Sequence, residues 1–99
     1  MINFDNAQII ANHAKKFKIG KTGKNLQERL NEPDYKLYYD KIESVLDTDS
    51  ADEASKAEAY LIDKYIDKPN CDNEKDGAHS ISDTMARDGD TYHVYFVWR

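Results

Sequence analysis

Two charged side chains sit where apolar neighbours dominate. In the run FKIGKTGKNLQERL, Phe17 to Leu30, Arg29 lies between Leu26 and Leu30 on what reads as a short helix. Its guanidinium therefore starts near the apolar side of that helix. In SADEASKAEAYLIDKY, Ser50 to Tyr65, Glu58 shares one helical stripe with Ala54, Ala57, Leu61 and Tyr65. A carboxylate on such a stripe is costly unless it is paired, protonated or bound to a metal. Glu58 is thus expected either to pair with Arg29 or a lysine, or to be the carboxylate ligand of one Mg²⁺ or Mn²⁺ ion. Mg²⁺ commonly takes one or two carboxylates besides waters and phosphate oxygens. Arg29 either packs its stem while its head reaches water, or aims a planar fork at a phosphate.

The charge distribution favours an anionic partner for one part of the chain. Its 99 residues carry 14 basic and 19 acidic side chains, a net charge of −5. Residues 1–31 hold six of the basic groups (Lys15, Lys16, Lys18, Lys21, Lys24 and Arg29) against only Asp5 and Glu28. A bipolar chain of this kind can present one basic surface to a polyanion and repel it elsewhere. Lys15, Lys16, Lys21 and Lys24 are the expected grip on a nucleic-acid backbone; the plainer reading is a solvated lysine cluster on a hairpin. One cysteine, Cys71, rules out an internal disulfide and fits a reducing compartment. With no long apolar run and no leader pattern, a cytoplasmic protein without a membrane segment is expected.

The elements that must hold these residues can be read from local signals. The length suits one domain, 1–99, with a single modest core. AQIIANHAKKFKIG reads as two short strands, around Ile9–Ile10 and Phe17–Ile19, joined by a polar turn. Asn25 caps the helix LQERLNE, and Pro33 stops it. YYDKIESVLDT reads as a strand with Ile42, Ser44 and Leu46 on one face and Glu43 and Val45 on the other. Ser50 and Glu53 form a capping box that opens a helix from Ala51 to about Ile66, before Pro69. Asp-Gly turns are expected at Asp76–Gly77 and Asp88–Gly89. TYHVYFVWR closes the chain as a strand, with Tyr92, Val94, Phe96 and Trp98 opposite His93, Tyr95 and Val97. The order β-β-α-β-α-β is that of a small α+β domain on a mainly antiparallel sheet.

With these residues placed, the chain resembles a GIY-YIG domain, a nuclease fold of homing endonucleases, restriction enzymes and excision-repair incision subunits. It is most similar to phage and bacterial branches that read YKIGKT at this strand. FKIGKTGKNLQERL resembles the family's strand, glycine, lysine, loop and arginine helix. EAYLIDKYIDKPN resembles its glutamate helix, followed twelve residues later by an asparagine. The match covers about residues 8–73 and leaves 74–99 as a C-terminal extension. Lys18–Ile19–Gly20 stand where the family has YIG, and Lys21 matches the lysine after it. Arg29 matches the catalytic arginine, Glu58 the metal-binding glutamate and Asn70 the positioning asparagine, for which Asn73 is the runner-up. Gln8–Ile9–Ile10 stand where the family has GIY, so both family tyrosines, one of which is assigned to activating the attacking water, are replaced. Within the motif region His13 and Lys18 are the substitutes, and histidine titrates in the more suitable range. Tyr35, Tyr38 and Tyr39 are further phenols that could project toward the site.

The resemblance implies Mg²⁺-dependent hydrolysis of DNA phosphodiester bonds. Arg29 would hold the scissile phosphate, Glu58 one metal ion, Asn70 the orientation of Glu58 or substrate, and Lys21 added positive potential. Lysines grip phosphates and not bases, so structure-selective or partner-directed cutting is expected over sequence-specific cutting. The alternatives are a catalytically inactive module that binds nucleic acid or a protein partner, and an unrelated α+β protein.

Overall fold

A computed structural model of the chain describes residues 1–74 and 91–99; the two expected Asp-Gly turns lie outside these residues. The first element is a helix, α1 (Phe4–His13), and not the strand that Ile9–Ile10 suggested. Asn3 caps it by accepting from the Asn6 amide, and Ala7, Ile10 and Ala11 are its buried residues. That i, i+3, i+4 spacing is a helical stripe, which overrides the local β preference of two adjacent isoleucines. β1 (Phe17–Thr22) follows, then α2 (Leu26–Leu30), whose first amides are capped by the Asn25 side chain. Pro33 opens a second short helix, α3 (Pro33–Lys36), in the first-turn position where its missing N–H costs nothing. β2 (Lys41–Thr48), α4 (Ala51–Tyr65, capped by Ser50) and β3 (Tyr92–Trp98) complete the described chain.

The three strands form one antiparallel sheet in the order β1-β3-β2, so the C-terminal strand lies in the middle. Alternation along β3 divides the interior into two layers. Val94 and Phe96 face α1 and α4 with Phe17, Ile19, Val45, Leu46, Leu61 and Ile62. Tyr95 and Val97 face the opposite way and pack with Leu30, Tyr35 and Tyr39. The domain is thus a small α+β sandwich with helices on both faces of the sheet. The faces expected for β2 are corrected by a bulge between Ser44 and Leu46, which brings Val45 and Leu46 into the same cluster.

The outer edge of β1 is covered by the chain after α4. The Phe17 amide donates to Asn70 O at 3.0 Å, and the Asp72 amide donates to Phe17 O at 2.8 Å. Asn73 pairs with Ile19 like a one-residue strand, accepting from its amide at 2.9 Å and donating to its carbonyl at 3.0 Å. Among the described residues this edge pairing reaches as far as Ile19, immediately before Gly20. Among the described residues no helix is long and apolar enough to cross a membrane.

Candidate functional site

The site is organised by a glycine. Gly20 on β1 stands opposite Tyr95 on β3, and the hydroxyl end of the tyrosine ring lies over it. A Cβ on Gly20 would stand 2.5 Å from Tyr95 Cζ and closer still to its hydroxyl. Only a residue without a side chain admits this approach. The Tyr95 hydroxyl shares a 2.8 Å hydrogen bond with the Tyr35 hydroxyl, and the two rings meet edge to face. The Arg29 guanidinium stacks on Tyr35, with Cζ 3.9 Å from the ring centroid.

Electrostatics tie Glu58 to this group. Burial raises the Tyr95 hydroxyl well above the ordinary phenol range, and its pairing with Tyr35 adds to the rise. Burial likewise raises Tyr35, and the Glu58 carboxylate contributes to that rise from α4. The Arg29 cation pulls both phenols back toward ionisation. Glu58 is 6% exposed on α4. One turn earlier on that helix, Ser55 Oγ accepts from Lys21 Nζ at 2.9 Å. A cation and two coupled phenols therefore lie together beside Gly20, and Glu58 acts on one of the phenols from α4. Such a set can hold an anion beside two protonated phenols.

Among the described residues Arg29 forms its ion pairs with Glu32 and Asp34 and not with Glu58, which corrects the expected Arg29–Glu58 alternative. Its Nη1 and Nη2 donate to the two oxygens of Asp34 at 2.9 and 3.1 Å, and Nη1 lies 3.5 Å from Glu32 Oε1. Lys18 lies close enough to Asp34 to help lower its carboxyl, behind the larger effect of the Arg29 hydrogen bond.

Other expected site residues are placed elsewhere. The Asn70 amide donates to Ala11 O and Ala14 O, both at 3.0 Å, and so closes the C-terminal end of α1. His13, on the last turn of α1, lines a cavity of about 630 Å³ with Lys15, Asp40, Trp98 and Arg99, at the Phe17 end of β1. The basic patch is split. Lys15 and Lys16 precede β1 and Lys24 follows it, a span of about 16 Å for the strand between them. Lys16 lies 3.9 Å from Asp72, and Lys24 lies 3.6 Å from Glu32.

Asn70 and Asn73 can be told apart by stability. Asn70→Ala leaves two helix-end carbonyls without this donor and is expected to cost about 1–3 kcal/mol. Asn73→Ala exposes the β1 edge beside Gly20 and should impair the site more than the fold. Urea denaturation of the two variants checks the ranking; an Asn70→Ala protein as stable as wild type would remove the structural role.

Sequence reasoning missed Tyr95 and the two acids Glu32 and Asp34. A glycine inside a strand is a local sign that something approaches the backbone closely, but nothing local says what. Searches for related proteins match nothing to this chain, whether among family models, curated proteins or solved structures.

Proposed function

We propose that the protein binds the phosphodiester backbone of DNA at the Arg29–Tyr35–Tyr95–Glu58 site and hydrolyses it with a divalent cation, as a GIY-YIG-like nuclease. The observation that carries this reading is the Tyr95 hydroxyl held over Gly20 beside Arg29. The family resemblance calls for a tyrosine on the strand paired with the YIG strand. The early chain offers only Gln8–Ile9–Ile10, which is helix. The strand antiparallel to Lys18–Ile19–Gly20 is β3, where Val97, Phe96 and Tyr95 stand opposite these three residues in turn. The same arrangement would then be built with a different chain order, the tyrosine strand coming last.

Attack on phosphorus places charge on the non-bridging oxygens and on the leaving oxygen, so fixed positive charge is the largest contribution a protein can make. Arg29, oriented by its stack on Tyr35, would take the non-bridging oxygens. The Tyr35–Tyr95 pair, kept protonated by burial, would hold the Arg29 fork in position, while the attacking water would pass its proton to a non-bridging phosphate oxygen and from there to solvent. Glu58 would hold the cation. As a buried hard-oxygen carboxylate it is of the type that holds such a cation, and among the described residues no group of three or more His, Cys, Asp and Glu converges. One carboxylate suits an ion that keeps most of its waters, as Mg²⁺ does. A bound ion there would supply charge for the leaving oxygen.

A second reading, a module that binds nucleic acid without cutting it, is favoured by the hold of Asp34 on the Arg29 fork. Cleavage of supercoiled plasmid and of branched oligonucleotides with and without Mg²⁺ separates the two. Wild-type cleavage should need the ion, and Arg29→Ala should lower it roughly a hundredfold or more, as expected for loss of a donor to developing charge. Binding should weaken steeply with salt, since the grip is on phosphates. Salt-dependent binding without cleavage would leave the binding module; no binding at low salt would sink both readings.

A further inference from the structure

The Arg29 fork is already filled. Asp34 occupies both terminal nitrogens with the bidentate geometry that a phosphate would use. Glu32, two residues earlier, places one oxygen between Arg29 and Lys24, at 3.5 and 3.6 Å. That oxygen is buried and makes no hydrogen bond among the described residues. A buried carboxylate oxygen held by charge alone is a poorly satisfied group, so its release is cheap compared with that of a bonded one. Asp34, by contrast, is well bonded, but its side chain is 60% exposed and an exposed pair is worth little once water can replace it. Pro33 sets both acids at the start of α3, a four-residue helix.

We infer that the Glu32–Pro33–Asp34 turn is an internal stand-in for substrate phosphates, a carboxylate latch that sets which anions the site accepts. The inference rests on the phosphodiester reading of Arg29 above. A lone phosphate must displace Asp34 from Arg29 and gains one contact in return. A phosphodiester chain engages Arg29 and Lys24 together, replaces both carboxylates and is tethered while it does so. The latch therefore discriminates for polymeric substrate and against free phosphate and mononucleotides.

The test is binding of a fluorescent single-stranded DNA oligonucleotide and of inorganic phosphate, without divalent ions, to wild type, Glu32→Gln/Asp34→Asn, and the same pair with Arg29→Ala. Asp49→Asn/Asp67→Asn changes the net charge equally at exposed positions away from the turn. The double latch variant should bind the oligonucleotide roughly tenfold more tightly than wild type. Inorganic phosphate should compete in that variant and not in wild type. The gain should vanish with Arg29→Ala, and the charge-matched control should show little of it. Single Glu32→Gln, which removes the poorly satisfied group, should give part of the gain in a protein that melts like wild type. Unchanged or weaker binding by the folded double variant overturns the latch and leaves the phosphodiester reading intact. An equal gain in the charge-matched control, or one that persists without Arg29, also overturns it. Failure of every variant to bind either probe overturns the latch and the phosphodiester reading together. Tighter, Arg29-dependent binding without Mg²⁺-dependent cleavage supports the latch and removes only hydrolysis.

Discussion

Gly20→Ala is expected to destabilise the protein by about 1–3 kcal/mol, the usual cost of forcing a methyl group into a packed site. The new Cβ would stand 2.5 Å from Tyr95 Cζ. A tyrosine can often swing away from such a contact, but this ring is 1% exposed and its hydroxyl is bonded to Tyr35. Backbone effects run the other way. Gly20 does not have positive φ, so alanine suits its conformation and would by itself stabilise by about 0.4–1 kcal/mol through the unfolded chain. The steric term is the larger and decides the sign. Thermal or urea unfolding measures it directly. Shortening the opposing side chain, as in Tyr95→Leu, should remove most of the Gly20→Ala penalty in the double variant, because the two changes share one contact. Equal stability of Gly20→Ala and wild type would mean that no ring lies over the glycine, and the arrangement of the site would fall with it.

The local signals in the sequence were sufficient for β1, α2 and α4. Asn25 and Ser50 are the observed caps, and Pro33 separates two short helices. The helical period correctly placed Glu58 on the buried side of α4. Where two local preferences competed, tertiary packing chose. Ile9–Ile10 favours a strand, but Ala7, Ile10 and Ala11 bury one helical stripe under the sheet. The bulge in β2 has no marker in YYDKIESVLDT, since it follows from how that strand meets β3. Alternation along β3 puts Tyr95 on the right strand face, but its meeting with Gly20 joins positions 75 residues apart, and alternation along one strand says nothing about its partner. Residues of one site that come from distant segments are legible by type and not by company. Arg29 illustrates the limit at short range: its partner Asp34 is only five residues on, yet the pairing depends on the turn at Pro33.

Glu58→Gln divides catalysis from architecture more sharply than any other change at this site. If Glu58 holds the cation, the variant keeps its volume and loses its charge, and Mg²⁺-dependent cleavage should disappear. Stability without metal should change little, because the amide keeps the volume and can still hydrogen-bond. Wild type should melt at a higher temperature with Mg²⁺ than without, and the variant should not respond. If Glu58 is instead the anion of a buried structural pair, the same change strands a cation and should cost roughly 3–5 kcal/mol, with no Mg²⁺ response in wild type. The partner in that case would not be Arg29, whose ion pairs are with Glu32 and Asp34. A further readout needs no activity. Burial is the main reason the Tyr35 phenol is raised and Glu58 adds a small part, so removing its charge should move that phenol's titration slightly downward, as followed by phenolate absorbance in alkali. A large loss of stability, an unmoved phenol titration and a wild type indifferent to Mg²⁺ would together remove the metal from Glu58 and leave it as part of the framework under β1.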